Sequence, residues 1–205
     1  MYTNDVMVSG NEHLRAIAYK PGWYSSDTTK TDFYKTKYRP DSLMHLLPPD
    51  NYYKDEKGKT LIDGVKGDAN LGNGKWIGFR NNCMEALMIF NQPSVVSTVS
   101  VSSMVDTASY VMPPLSLELW GGNDSAHLRL LSRITPMQPL KPPKPSKKGE
   151  PLKSQPAYLK LYDLSFKPTT VHYLKLIANP VIKLPPWHSG KGKKGWFFVD
   201  EVIVN

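Results

Sequence analysis

The sequence predicts an all-β protein folded as an antiparallel sandwich of short strands, preceded by a short β fragment. Three observations carry that prediction. Apolar residues recur in short runs that alternate or are β-branched, Gly, Pro, Asn and Asp separate the runs, and helical periodicity is scarce. The 205 residues suffice for one sandwich of ordinary size and an additional piece, short of two full domains. A hydrophobic content of 40% with 11% aromatic is that of a packed core and too high for a disordered chain.

The first strand is read over Leu14–Tyr19, where Pro21-Gly22 stops it, and a second short one lies within Trp23–Phe33. Residues 1–38 are therefore expected to form a partial β domain. Residues 39–47 read as a connector, because Arg39-Pro40-Asp41 and Leu47-Pro48-Pro49-Asp50 disfavour both helix and central strand. Asp41–Leu47 leaves room for one helical turn with Asp41 as its N-cap. The sandwich proper is placed at residues 48–205. Its strands are read over Trp76–Phe79, Glu85–Phe90, Val95–Val101, Leu115–Trp120, His127–Ile134, Tyr158–Ser165, Val171–Ile177 and Trp196–Val204. No internal repeat is visible.

The formal charge of +8 raises the question of nucleic acid. Much of the excess sits in Lys141–Lys153 and in Lys191, Lys193 and Lys194, and the first of these runs interleaves Lys with Pro, as an extended solvated loop does. No zinc-finger spacing, RNA-binding aromatic signature or recognition-helix pattern accompanies it, so no specific nucleic-acid partner is expected. No run approaches the roughly 18–20 apolar residues of a membrane helix. Met1 is followed by Tyr2-Thr3-Asn4-Asp5, without the basic start and apolar stretch of a signal peptide, and the expectation is of a chain that starts inside another domain. Cys83 is the single cysteine, read as a small buried hydrophobe.

A resemblance emerges from the order of several segments. Thr60-Leu61-Ile62-Asp63-Gly64-Val65-Lys66-Gly67-Asp68, followed by Gly74-Lys75-Trp76-Ile77-Gly78-Phe79, resembles the opening of galactose-binding-like (discoidin, coagulation factor 5/8 type C) domains. Gly195-Trp196-Phe197-Phe198-Val199-Asp200-Glu201-Val202-Ile203-Val204 resembles their closing strand. Asp106–Leu117 and Pro185-Pro186-Trp187-His188-Ser189-Gly190 are similar to segments of a bacterial branch that includes the family 32 carbohydrate-binding modules. In that branch the module follows a chitobiase- or hexosaminidase-type C-terminal domain, which Leu14–Asp27 resembles in its last strands. The resemblance covers about residues 48–205. The chain departs from it at Ile89-Phe90-Asn91-Gln92-Pro93, where the family has an Asp-Leu-Gly element, and in a longer, more basic loop at 136–156.

The resemblance implies a jelly-roll sandwich that binds sugars through loops at one end, without catalysis, as part of a larger extracytoplasmic glycan-handling protein. Its expected partners are a galactoside or N-acetylhexosamine-type glycan and the neighbouring domains of the same chain. It also implies a structural Ca2+ held by Asp63, Asp68 and Glu201, with carbonyls near Leu61 and Lys66 completing the shell. The alternative is an Asx-turn from Asp63 to the Gly64 backbone and a solvated or lysine-paired Glu201, and Lys66 is the residue that most opposes an ion.

For sugar recognition, an aromatic platform with a few amide or charged groups is required. Trp187, His188, Asp106, Tyr110, Arg80 and Asn82 lie in or beside predicted loops and are the candidates. A hydrophobic plug remains open for Trp187, and a hydrogen-bonded loop histidine for His188. Trp76, Trp120 and Trp196 lie within strands and are expected in the core. A glycosidase would need two carboxylates across the bond. Asp200 and Glu201 cannot be that pair if they sit on a strand, because neighbouring side chains point to opposite faces. No Gly-x-Ser-x-Gly, phosphate-loop or His-Glu-x-x-His motif occurs. The competing class is a structural or protein-docking sandwich that packs on a neighbouring domain.

Overall fold

A computed structural model describes residues 6–7, 9–56, 58–141 and 155–205, and within them the chain forms two compact units, Met1–Lys37 and Tyr38–Asn205. The first unit holds an antiparallel hairpin of β1 (Glu12–Ala16) and β2 (Thr29–Phe33), with Glu12 opposite Phe33 and Ala16 opposite Thr29. The loop between them is closed at Ser26, whose hydroxyl accepts the Ala18 N–H at 2.8 Å while its own N–H donates to the Ala18 carbonyl.

The second unit begins ten residues earlier than the boundary read at 48. The expected connector is a strand, β3 (Ser42–Leu47), antiparallel to β5 (Met84–Val105) with Leu43 opposite Met88. Pro40 and Pro48 flank β3 instead of interrupting it, and β3 lies on a sheet edge, where nearby prolines break no ladder. Asp41 is accordingly no helix cap. Its carboxylate accepts the Asn91 N–H at 2.8 Å, and its own N–H donates to the Ile89 carbonyl.

The remaining strands are β4 (Ile77–Phe79), β6 (Ser116–Gly122), β7 (Arg129–Ile134), β8 (Tyr158–Asn179) and β9 (Phe197–Val204). Helical structure among the described residues is limited to four 3-10 turns, at Asn51–Tyr53, Thr60–Ile62, Leu71–Asn73 and Thr107–Ser109. All pairings between these named strands are antiparallel. Strands β5 and β8, 22 residues each, run the length of one layer, bend, and continue into the other. One layer has the order β3-β5-β8-β6-β7, using the first part of β5 and the last part of β8. The other has the order β4-β9-β5-β8, using the complementary parts. The bend falls where the β5–β8 register slips, between Ile89 and Ser94 and again between Val96 and Thr98. Pro93, which has no N–H to give a ladder, lies inside the first slip.

Alternation places one side of each strand in the core. In β5, Met84, Ala86, Met88 and Phe90 are buried while Glu85, Leu87 and Ile89 are half-buried. In β6, Leu117 and Leu119 point inward, so Trp120 sits on the outer face, contrary to its expected core position. The β4-β9 layer is covered on both sides. Phe79, Phe197, Val199 and Leu164 join the main core, and Trp76, Met104, Val111 and Phe198 form a second cluster on the opposite face. Strand β9 therefore has every residue buried, including Asp200 and Glu201.

A bulge explains how two adjacent carboxylates enter this layer. Ser102 pairs Glu201 but Ser103 pairs Val199, so Asp200 is the extra residue. Val199 and Val202 both belong to the main core, which leaves Asp200 and Glu201 together on the other face. The regular-strand expectation of opposite faces fails here for that reason.

Candidate functional site

The loops following β4, β5 and β8 are tied together at one end of the sandwich. Lys194 Nζ donates to Asn81 Oδ1 at 3.0 Å, the Trp196 N–H donates to the Tyr110 carbonyl at 2.8 Å, and the His188 ring bonds the Thr107 carbonyl at 2.6 Å. Asn82 Nδ2 donates to the Pro48 carbonyl at 2.9 Å, adding the segment after β3. All six sugar candidates, Arg80, Asn82, Asp106, Tyr110, Trp187 and His188, belong to these joined segments.

Their states differ. His188 is only 6% exposed. Nε2–H donates to the Thr107 carbonyl and Nδ1 accepts the Gly190 N–H at 2.9 Å, so both ring nitrogens are used inside the protein. The expectation of His188 as a polar partner of sugar is corrected: it is the hydrogen-bonded loop histidine. Tyr110 meets the His188 ring edge-on at 5.0 Å and has a φ of 68°, in the left-handed region that a bulky residue rarely adopts. Gly190 packs beneath the same tyrosine, since a Cβ there would fall 2.1 Å from Tyr110 Cε1. Asp106 caps the Thr107–Ser109 turn through one carboxylate oxygen, which accepts the N–H groups of Ala108 and Ser109. Trp187 is half-buried, with its ring 5.7 Å from that of His188, and keeps part of its surface open.

Arg80 is half-buried with its guanidinium over the Trp196 ring at 5.1 Å. Trp196 is itself half-buried, stacked on Phe198 at 5.4 Å and met edge-on by Tyr53, so it stands at the rim of the second cluster. Two clefts share Asn51, and Arg80 lines the smaller of them. The smaller, about 230 Å3, is lined by Pro48, Asp50, Asn51, Arg80, Asn81 and Asn82. The larger, about 550 Å3, has Asn51, Tyr52, Thr60, Asp63, Lys75 and Trp76 among its walls. Of the residues lining these clefts, Arg80 and Asn82 are among the sequence candidates, and Asp50, Asn51, Tyr52 and Asn81 are not. Asp50 closes the Leu47-Pro48-Pro49-Asp50 motif read as a connector, and nothing in the composition of Asn51-Tyr52-Tyr53 sets it apart from an ordinary loop.

The Asp-Gly loop lies over the β9 bulge. Gly64 N–H donates to Glu201 at 3.1 Å and Gly67 N–H to Asp200 Oδ2 at 2.7 Å. Lys66 Nζ ion-pairs with Asp200 at 3.2 Å and donates to Ser102 Oγ. Burial pushes the Asp200 carboxyl up, against the opposing pull of Lys66. Burial, and then the charge of Asp63, push Glu201 up to about 8. Asp63 and Asp68 are exposed and turn back on their own loop, accepting the N–H groups of Val65 at 2.8 Å and Asn70 at 2.9 Å. The Lys66 carbonyl accepts Lys75 Nζ at 3.3 Å. Among the described residues no group of three His, Cys, Asp or Glu is placed to hold a metal ion. As arranged, the three carboxylates expected to hold Ca2+ do not fit one: an ammonium stands inside the loop, and a lysine takes a carbonyl the ion would need.

No helix among the described residues is long and apolar enough to cross a membrane. No protein-family model and no curated protein matches the chain. Among solved structures, it is similar to the family 32 carbohydrate-binding module of AlyQ in complex with 4,5-unsaturated mannuronic acid, at 14% identity and a TM-score of 0.46, covering 82% of this chain and 96% of that one. It is similar to the C-terminal domain of a chitobiase from Bacteroides fragilis, at 14% identity and 0.45, covering 82% and 91%. The family 32 module of Clostridium perfringens NanJ in complex with galactose gives 10% identity and 0.45, covering 80% and 91%.

Proposed function

We propose that the chain is a non-catalytic carbohydrate-binding module of a larger extracytoplasmic glycan-handling protein, and that it grips a galactoside or N-acetylhexosamine-type glycan at the joined-loop end. The observation that carries this reading is the pair of clefts that share Asn51. Their walls combine amides, a guanidinium braced on an indole, and the exposed ring of Tyr52. Sugars present hydroxyls for the first two and C–H faces for the third. In the proposal Arg80, Asn81 and Asn82 hydrogen-bond the sugar and Tyr52 offers a stacking surface in the clefts, while Trp187, which lines neither cleft, offers a second stacking surface on the joined loops.

The carboxylates near these clefts are engaged in ways that suit binding and not hydrolysis. Asp50 accepts the Tyr52 N–H at 3.2 Å, Glu56 pairs with Lys54 at 3.5 Å, and Asp63 accepts the Val65 N–H. A module of this kind raises the local concentration of an attached protein on its glycan. Titration calorimetry with galactose and N-acetylgalactosamine tests the reading: Arg80→Ala and Asn82→Ala should each weaken binding about tenfold with the fold intact. Unchanged affinity in both variants would refute the assigned site.

A second reading has its own support. The outer face of the β3-β5-β8 layer exposes Met44 at 53% and Leu46 at 44%, beside half-buried Leu87, Ile89 and Ile177. An apolar sheet face suits docking on another domain. No glycan binding, together with loss of a domain–domain contact in Met44→Lys, would favour that reading.

A further inference from the structure

We infer that Lys66 is a built-in cation that closes the Asp-Gly loop onto the β9 bulge, making the folding of this sandwich independent of a divalent metal. The bulge turns Asp200 and Glu201 to the same buried face, 0% and 6% exposed. Two adjacent carboxylates out of water require compensation by charge and hydrogen bonds. The loop supplies both. Backbone N–H groups of Gly64 and Gly67 reach one carboxylate each, and Lys66, between those two residues, sends its ammonium to Asp200 and to Ser102 on the neighbouring strand. The Lys66 side chain is 17% exposed, so the pair is largely shielded from solvent and salt.

Two further cations complete the arrangement. Lys75 Nζ binds the Lys66 carbonyl, and the Arg39 guanidinium packs over Gly64, where a Cβ would lie 2.8 Å from Nη2. The close approach at Gly67 is equally tight, because a Cβ there would fall 2.6 Å from the Trp76 ring. The loop thus carries its positive charge in side chains, at a place where oxygens alone would call for a metal ion.

Thermal unfolding of the whole chain, with and without Ca2+ and a chelator, tests the inference alongside Lys66→Met and Lys66→Ala. Wild-type Tm should be the same in millimolar Ca2+ and in excess chelator. Lys66→Met, which keeps the aliphatic stem, should lower Tm by several degrees. Lys66→Ala, which also vacates the space, should regain stability on Ca2+ addition in proportion to the logarithm of its concentration. A wild-type Tm that falls in chelator or rises with Ca2+ would overturn the inference. So would a Lys66→Met protein as stable as wild type, or a folded Lys66→Ala protein indifferent to Ca2+. If both variants fail to fold, the wild-type titration decides alone. Glycan binding does not enter this test, so its result is separable from that of the proposed function.

Discussion

Replacing His188 by alanine separates a structural role from a ligand-binding one. The ring bridges two backbone groups, the Thr107 carbonyl at 2.6 Å and the Gly190 N–H at 2.9 Å, 81 and 2 residues away in sequence. Truncation orphans both, at about 1–3 kcal/mol each when water cannot enter. It also removes the edge-on contact with Tyr110, worth about 0.5–1.5 kcal/mol. Gly190 is buried but Thr107 is half-exposed, so water can satisfy the carbonyl more easily than the N–H. The expected loss is therefore about 3 kcal/mol, a fall in Tm of about 6–12 °C for a unit of this size. Urea unfolding and calorimetry measure it. His188→Gln should recover part of the loss, since its amide nitrogen reaches toward the Nε2 position and can donate to Thr107. A His188→Ala protein of wild-type stability that has lost glycan affinity would refute the structural assignment.

Other expectations follow from the same geometry. Trp187→Ala should cost about 1–2 kcal/mol, less than a fully buried tryptophan, while abolishing glycan binding; the opposite balance would make Trp187 a plug. Glu201 is raised from 4.5 to about 8, so its folded form holds a proton, and stability should be complete below 4.5 and decline as pH rises toward 8. The decline reaches about 3 kcal/mol at about pH 7, from about 1.4 kcal/mol per pH unit, and Glu201→Gln should remove it without loss at low pH in urea titrations. Asp55 behaves oppositely. Burial pushes its carboxyl up, but hydrogen bonds from His45 at 3.1 Å and Thr60 at 2.7 Å outweigh that and hold it below 3.8. Its contribution is complete above the ordinary carboxylate value and should vanish as pH falls through the lower folded value, and Asp55→Asn should flatten that acid limb.

Much of the strand pattern was legible because half-buried strands write their burial into alternation. Met84–Phe90 and Leu117–Leu119 show it directly, and the all-buried β9 reads as a continuous apolar run at both ends. What was hidden depended on partners distant in sequence. Strand β3 was masked by the prolines at its borders, since composition cannot tell an edge strand from a linker. The bulge at Asp200 was invisible because only the register against Ser102 and Ser103 reveals the extra residue. At the candidate site, segment positions were legible but atom-level roles were not. His188 looked available in a loop, and only Thr107, 81 residues earlier, shows that it is already satisfied. Residues 142–154 of the basic Pro/Lys segment lie outside the described residues.

The two 22-residue strands that pass through both layers have a mechanical consequence. In a sandwich held only by side-chain packing, the sheets can slide or part before either one frays. Here any such displacement must stretch or rotate covalent backbone at two bends, each carried by a strand already paired to the other. The layers are thus coupled as a single elastic body, and a load applied at the loops is shared across both sheets. Amide exchange in the two layers should therefore report one common opening event, in place of separate melting of an inner and an outer sheet.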